Sequence, residues 1–364
     1  QSGARIDWWG NILFGVGLTA LLAAITYGIQ PYGGHTMGWT NPWVVAGLVG
    51  GVALLVAFCI VETKVAQPMF AMSLFRIRAF WAGNLAGLLA SVARGGLQFM
   101  LIIWLQGIWL PLHGYDFEDT PLWAGIYLLP LTVAFLVAGP ISGAMSDRFG
   151  ARTFATGGLL LVAASFLGLL LLPVDFSYAA FAGLLVLNGI GSGLFSAPNT
   201  TAIMNSVPAG QRGAASGMRG TFFNAGSSLS IGIFFSLMIA GLAARLPQTL
   251  YSGLTAHHVA SGTAQAIANE PPVGSLFAAF LGYNPVQTLL GPHALGQLPA
   301  ADRATVTGRE FFPDLISQPF HHGLVIVFGA AIVMSVIGAL ASLVRGKKYV
   351  HAEVPAQDEV RAAA

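Results

Sequence analysis

One basic side chain stands in the middle of a long apolar run. Arg94 is flanked in sequence by apolar and small residues, and at about 100° per residue of a helix it shares one face with Gly87, Ser91 and Gln98. If the run crosses a membrane, an ionised guanidinium at that depth costs at least ~2.5 kcal/mol and marks a functional position. We therefore expect the face to line a water-accessible cavity. The alternative is that Arg94 snorkels or satisfies the carbonyl groups of a helix end.

The guanidinium of Arg94 stays charged at any relevant pH, so it cannot itself carry a proton. It can bind an anionic group of a ligand, or it can pair with a carboxylate from another part of the protein. The residue types on its face do not decide between the two.

A second candidate is a short turn rich in glycine and charge, Gly143-Ala-Met-Ser-Asp147-Arg148-Phe-Gly150-Ala-Arg152. We expect Gly143 to allow close helix approach and Gly150 to adopt the left-handed conformation of a turn. The Asp147 carboxylate can accept hydrogen bonds from the following helix or pair with an arginine. Such a junction can hold two helices in one of two arrangements. The plain alternative is an ordinary basic turn between two membrane spans.

Two further polar faces follow helical spacing. One lies on a helix that we expect to be kinked by Pro198 and loosened by glycines, and the other lies on the next helix along the chain. Their members are Asn188, Ser192, Ser196 and Asn199 on the first face, and Thr221, Asn224 and Ser228 on the second. Small polar residues also stabilise the packing of membrane helices through close contact and interhelical hydrogen bonds. Helix packing and substrate contact are therefore equally good interpretations of these faces.

The composition indicates the elements that must position these residues. Of the 364 residues, 8% are charged and 55% hydrophobic, with a mean hydropathy of +0.73, which excludes a soluble globular domain. The sequence has one cysteine, Cys59, which excludes a disulfide scaffold. We interpret Cys59 as a small buried hydrophobic residue. Runs of about 20 apolar residues predict an all-α polytopic membrane protein with spans at Trp8–Ile29, Trp43–Val61, Phe80–Ile108, Trp123–Met145, Thr153–Leu172, Tyr178–Met204, Met218–Ala243 and Gly323–Val344.

Basic residues predict the orientation of these spans. Numbering the connections alternately from the N-terminus, twelve Lys and Arg lie in the odd set and three in the even set. The positive-inside rule then places both termini in the cytoplasm. An amphipathic linker at 63–79 would lie on the cytoplasmic membrane interface, and a long external loop would cover 245–322. Within that loop, Gly274–Gly291 could be a re-entrant or surface helix, or a true ninth span that would break the charge alternation.

The Gly143–Arg152 turn resembles the loop signature of the major facilitator superfamily, as it recurs in the second half of those transporters. Residues 198–217, with Pro198-Asn199 and Pro208-Ala-Gly-Gln-Arg212, resemble the segment before the penultimate helix of its fourteen-helix drug:proton antiporters. A third stretch resembles the two extra central helices of these fourteen-helix antiporters. It is marked by Asp7-Trp-Trp-Gly10, Gly38-Trp39, Glu62 and Leu74-Phe75-Arg76.

This resemblance implies a domain layout. Two central helices would occupy 1–62, the linker 63–79, a C-terminal six-helix transporter bundle 80–344, and a cytoplasmic tail 345–364. Because the chain opens at Gln1 without a methionine, we expect a piece of a longer protein whose first six helices are absent. With them would go the membrane-embedded acid that the family is credited with using for proton coupling.

Other chemistry is not indicated. Four of the eight histidines form two adjacent pairs, His257–His258 and His321–His322. Adjacent residues point to different sides, and no Cys or Glu completes a ligand set, so we interpret these and the other loop histidines as solvated and expect no metal. Motifs for a nucleophile, a phosphate or a dinucleotide are absent from the sequence, so we expect no enzyme, no cofactor and no nucleic-acid partner.

The leading hypothesis is a proton-coupled exporter of drugs or other amphipathic small molecules in the plasma membrane, working by alternating access. Its partners would be the lipid bilayer, the substrate, protons and the absent six-helix half. The alternatives are an exporter of lipids or lipid-linked metabolites with the same fold, and a non-transporting membrane scaffold or membrane enzyme.

Overall fold

The computed structural model describes residues 7–65, 68 and 70–346, apart from the side chain of Asp147. Within these residues, eight helices are long and apolar enough to cross a membrane. In chain order they are α1 (Trp8–Gly28), α2 (Pro42–Glu62), α3 (Arg78–Leu112), α4 (Thr120–Ser146), α5 (Ala151–Leu171), α6 (Tyr178–Asn205), α7 (Arg212–Ala243) and α8 (Phe311–Val344). The predicted all-helical, polytopic architecture is therefore confirmed.

The two ends of the helix bundle differ in composition, and we name them accordingly. The basic end holds the α4–α5 turn with Arg148 and Arg152, together with the starts of α3 and α7. The cap end holds five short helices that follow α7: Leu246–Ala256, Ser261–Ala268, Pro272–Leu281, Val286–Gln297 and Ala300–Val306.

Two helices extend well beyond their predicted starts. The α7 helix begins at Arg212 rather than Met218, and α8 begins at Phe311 rather than Gly323. Apolar runs mark where a chain can contact lipid, whereas a helix continues into polar sequence as long as its backbone groups remain paired. Pro313 fits the first turn of α8 because the N–H groups there have no partner within the helix.

Glycines of α6 bring three helices close together. A Cβ at Gly193 would lie 2.7 Å from the Cβ of Ala138 on α4, and one at Gly191 would lie 2.7 Å from the carbonyl oxygen of Gly158 on α5. Neither position leaves room for a side chain. The expectation that these glycines loosen α6 is therefore wrong, because they allow it to pack tightly between α4 and α5.

The first two helices form a hairpin at the side of the bundle. Gly17 and Gly51 let α1 and α2 approach each other, and α1 meets α7 where Ile25 fills the space beside Gly232. The outer faces of the hairpin are exposed and apolar, as lipid-facing helices are. Cys59, expected to be buried, is exposed on this surface.

An aromatic cluster at the basic end ties the linker between α2 and α3 to the protein. The ring of Phe70 lies 5.7, 5.2 and 6.1 Å from those of Phe14, Phe58 and Phe222. The backbone N–H of Phe70 also donates a 2.8 Å hydrogen bond to the buried carboxylate of Glu62. The apolar residues of the linker thus contact α1, α2 and α7, which couples the hairpin to the rest of the bundle.

The apolar segment Gly274–Gly291 does not form a ninth span. It is divided at Gly282 between helices of ten and twelve residues, which at ~1.5 Å per residue are too short to cross the hydrocarbon core. The first of them packs on a π-helical turn of α3, where Gln106 Nε2 donates a 2.8 Å hydrogen bond to the carbonyl of Phe280. The segment is therefore a docked element of the cap end.

Candidate functional site: a cationic cleft

A narrow cleft lies between α3, α5, α6 and α7. The space between its walls is about 710 Å³ when the open mouth is included. The cavity volume that water can occupy is about 60 Å³, which is room for a few waters. The polar residues that line it are Asn84, Ser91, Arg94, Ser192, Ser196, Asn199 and Arg219. The apolar ones include Leu159, Val162, Phe166, Phe195, Ile203 and Phe223.

Arg94 occupies the middle of α3, as predicted, and is partly exposed to the cleft. Its guanidinium carbon lies 4.1 Å from the ring centroid of Phe135 on α4, a cation–π contact that partly replaces water around the charge. The group therefore points at an aromatic face between two helices rather than at the carbonyl groups of a helix end.

Arg219 is a second cation of the same cleft. Gly226 packs beside Ser91, and Ser230 packs beside Gly95, so α3 and α7 run side by side in the same direction. Arg219 precedes Gly226 by two turns and therefore lies nearer the basic end than Arg94, by about 15 Å along the helices. The two arginines thus extend from different levels of the cleft wall.

Arg345 adds a third cation behind the cleft wall. It follows the last residue of α8, its side chain is 5% exposed, and Nη2 donates a hydrogen bond to Oδ1 of Asn199. Asn199 in turn donates from Nδ2 to the carbonyl of Gly83 over 3.1 Å. Burial lowers the pKa of Arg345 to about 10, which still leaves the group charged at neutral pH.

The electrostatics of the cleft are therefore one-sided. Two guanidinium groups line it, a third lies behind Asn199, and none of the lining residues within the described part of the chain is acidic. Neither Arg94 nor Arg219 forms an ion pair with another described residue. A cleft with fixed cations and little water attracts anions, because weak screening between low-dielectric walls strengthens the field.

The structure brings some of the predicted site residues together and separates others. Ser91, Arg94 and Asn199 line the cleft. Gln98, one turn beyond Arg94, and Asn224 are exposed outside the cleft lining.

Asn188 is placed in the interface between α5 and α6, outside the cleft lining. It is 2% exposed, and its Nδ2 donates a 2.7 Å hydrogen bond to Ser165 Oγ on α5. Its side-chain oxygen also accepts a long hydrogen bond of 3.4 Å from Ser192. For Asn188, these contacts are those of helix packing, which was one of the two interpretations left open by the sequence.

The glycine-rich turn joins α4 to α5 at the basic end. Gly150 has φ 92° and ψ 136°, so it does need the conformational freedom of glycine, although in an extended rather than a left-handed helical form. Gly143 is not needed for close approach, since a Cβ there would meet Ala197 at an ordinary 3.7 Å. Arg148 and Arg152 are exposed, and the side chain of Asp147 lies outside the described structure.

Three groups of this region are not predicted from the sequence. Arg219 and Arg345 stand among the basic residues that flank the predicted spans, and Asn84 is not among the predicted site residues. Arg219 lies two turns into α7, which starts at Arg212. The sequence predicts a start at Met218, so this position of Arg219 within the helix is evident only from the structure. Nothing in the sequence indicates that Arg345 folds back against Asn199.

The fold and the cleft together define a polytopic helical membrane protein with a polar, cationic site between its helices. Residues 9–231 match the family model described as the Major Facilitator Superfamily, which is more than half of the chain. The chain therefore belongs to this superfamily of membrane transporters.

Several curated relatives are similar to the chain. It is 32% identical over 245 residues to a methyl viologen resistance protein, SmvA, of Salmonella typhimurium, a match that covers 65% of this chain and 47% of that protein. It is 27% identical over 257 residues to the tetracenomycin C resistance and export protein of Streptomyces glaucescens, covering 71% and 45%. The multidrug transporter protein MdtP of Bacillus subtilis is 26% identical over 327 residues, covering 87% and 56%.

The chain spans about half the length of the curated relatives it matches. A solved structure of a bacterial homologue of the human lysosomal transporter Spinster covers 95% of this chain with 14% identity and a TM-score of 0.43, and the match covers 71% of that protein. That similarity is too low to carry an argument.

Proposed function

We propose that this chain forms part of a secondary active exporter that moves drugs or other small amphipathic molecules across the plasma membrane. The exporter would be proton-coupled and would work by alternating access between two halves. In this proposal the basic end and both termini of the segment face the cytoplasm, as the charge distribution predicts. The chain supplies the C-terminal bundle and the two central helices of a fourteen-helix antiporter, and a six-helix half of the same protein faces them.

The observation that carries the proposal is the position of Arg94. A charged side chain halfway along a membrane helix, in a cleft shared by α3, α6 and α7, is typical of a substrate or coupling pathway. Membership of the superfamily and the names of its resistance and multidrug relatives support export. The glycine-rich turn at Gly143–Arg152 would steady the state that is closed to the cytoplasm.

The alternative is an exporter of lipids or lipid-linked metabolites with the same fold. The helix Pro272–Leu281 packs on α7 through Phe277, whose ring lies 5.9 Å from that of Phe235. Phe277 and Leu281 nevertheless stay 39% and 61% exposed, so the cap end does not separate this alternative from drug export. A scaffold or membrane enzyme gains no support either, because the chain belongs to a family of transporters.

Transport in inverted membrane vesicles tests the proposal. Vesicles that contain the full-length protein should take up fluorescent amphipathic dyes when a proton gradient is imposed, and an ionophore that collapses the gradient should stop uptake. Arg94→Ala should lower uptake at least about tenfold, while Arg303→Ala, at an exposed position of the cap, should leave it unchanged. Both variants should insert into the membrane in equal amounts.

Three outcomes would count against the proposal. Uptake that persists without the gradient contradicts proton coupling. Uptake by Arg94→Ala equal to that of the unmodified protein contradicts the role of the cleft, and no uptake of any dye contradicts export.

A further inference from the structure

We propose that the cleft selects amphipathic organic anions, with the negatively charged group bound in turn by Arg219 and Arg94 and the apolar body bound by the aromatic wall. This inference rests on the proposed function, because it names the substrate class of the same site. It goes beyond that function by assigning a charge preference to the cleft and a role to Arg219.

The charges of the cleft that the structure describes are all positive. Arg94 and Arg219 both line the cleft, and no lining residue among those described is acidic. Two guanidinium groups repel a cationic amphiphile, and they attract a neutral one less strongly than an anion, which adds a full Coulombic attraction to its hydrogen bonds. A carboxylate, sulfonate or phosphate ester can instead accept charge-assisted hydrogen bonds from the guanidinium nitrogens, which offer a fork of donors.

The cations of the cleft have no counter-ion within the described part of the chain. The Arg94 guanidinium contacts the ring of Phe135, and neither Arg94 nor Arg219 forms an ion pair with another described residue. Behind the cleft wall, Nε and Nη1 of Arg345 are also buried without a hydrogen-bond partner among the described residues. Partly desolvated cations without a counter-ion are expensive to maintain, so two of them in one cleft favour an anion that arrives from outside it.

Three aromatic residues, Phe166, Phe195 and Phe223, line the cleft together with the two arginines. In this conformation the cleft has room for a few waters, so an aromatic or aliphatic body would pack against these rings in a more open state of the transport cycle. The backbone positions of Arg94 and Arg219 differ by about 15 Å along the helices, so the anionic group would pass from Arg219, nearer the basic end, to Arg94 at mid-span as the substrate moves outward.

A carboxylate of the facing half is the other source of an anion. It would neutralise Arg94 within the protein, so removing the Arg94 charge would then affect every substrate alike. A substrate anion predicts instead that only negatively charged substrates respond. The two sources can therefore be distinguished by comparing substrates that differ in charge alone.

The test uses two dyes with the same aromatic body, anilinonaphthalene sulfonate and uncharged phenylnaphthylamine. Binding to the full-length protein in phosphatidylcholine nanodiscs is measured by fluorescence, with empty discs subtracted. The sulfonate should bind at least about tenfold more tightly than the neutral dye, as expected for one charge-assisted hydrogen bond. Rising salt should weaken the binding of the sulfonate alone.

Variants then assign the preference to the cleft. Arg94→Gln and Arg219→Gln should each reduce the affinity for the sulfonate about tenfold and leave the neutral dye unchanged. Arg94→Lys should retain part of the preference, because the charge remains but the fork of donors is lost. Arg303→Gln removes an exposed cation of the cap and serves as the matched control.

The results separate the two proposals. Equal affinity for both dyes, or equal loss of both in Arg94→Gln, overturns the anion site whether or not the protein exports them. A protein that shows the predicted preference but takes up neither dye in vesicles keeps the anion site and contradicts export.

Discussion

The cap end and the cleft treat charged side chains in opposite ways. In the cap, a half-buried cation has a carboxylate partner: Arg309 Nη1 lies 2.5 Å from Asp116 Oδ1. Asp302 accepts hydrogen bonds from His257 and His258 over 3.2 and 2.9 Å. These pairs join elements that are distant in sequence, and they sit where water can screen them.

In the cleft and behind its wall, no cation has a carboxylate partner among the described residues. Arg94 lies over the ring of Phe135, Arg219 lines the cleft without an ion pair, and Arg345, behind the wall, donates a hydrogen bond to Asn199. None of these contacts neutralises a charge.

The cap thus pairs charged side chains within the protein, whereas the cleft leaves its cations without a counter-ion. Exposed ion pairs contribute little to stability, since water competes with both partners. Charges held without a counter-ion in a narrow cleft are costly, and they persist in proteins mainly where function needs them. We therefore expect changes in the cleft to have large effects and changes in the cap to have small ones.

The largest effect on stability is expected from removing the acceptor of Arg345. Asn199→Leu would leave a buried guanidinium without its hydrogen bond, which should destabilise the protein by about 1–3 kcal/mol. Thermal unfolding in detergent measures the loss. Asn224→Leu changes an exposed asparagine of a neighbouring helix and should stay within about 0.5 kcal/mol of the unmodified protein. Equal stability of the two variants would mean that the Asn199 contact does not hold Arg345.

A smaller effect is expected at the Arg309–Asp116 pair of the cap. The two side chains are 34% and 77% exposed, so a double-mutant cycle with Arg309→Gln and Asp116→Asn should give a coupling of about 0.2–1 kcal/mol. The coupling should fall as salt is added. A coupling above the Asn199 effect would reverse the comparison between the two regions.

The smallest effect is expected at Asp302, and it depends on pH. Hydrogen bonds from His257 and His258 hold the pKa of Asp302 below its ordinary value of 3.8. Because the folded carboxylate has the lower pKa, its contribution to stability is present above pH 3.8 and is lost as pH falls through the folded value.

Hydrogen exchange of the backbone over 246–306 measures this loss. Exchange should rise as the pH is lowered into that window, after correction for intrinsic rates, and the rise should be absent in Asp302→Asn. A rise of the same size in Asp302→Asn would show that another group titrates there.

The sequence predicted parts of this picture because they depend on local periodicity. The shared face of Ser91 and Arg94 follows from helical spacing, and the positive φ of Gly150 follows from its place between two spans. The positions of Arg219 and Arg345 are not predicted from the sequence. The position of Arg219 depends on where α7 starts, and the burial of Arg345 depends on how the end of α8 packs against α6. The docking of Pro272–Leu281 likewise depends on contacts with α3 that no local pattern encodes.

The reactivity of a thiol placed in the cleft shows whether the cleft admits water and attracts anions. In a protein with Cys59 replaced by Ser, Ser196→Cys is reacted with two membrane-impermeant methanethiosulfonate reagents, one bearing a sulfonate and one a trimethylammonium group. Ala301→Cys, on the exposed surface of the cap, serves as the reference.

The cationic cleft predicts that the sulfonate reagent is favoured at position 196 over position 301 by about tenfold, and that Arg94→Gln with Arg219→Gln removes the difference. A thiol at 196 that reacts with neither reagent from either side of the membrane, or that favours the trimethylammonium reagent, would contradict a water-accessible, cationic cleft.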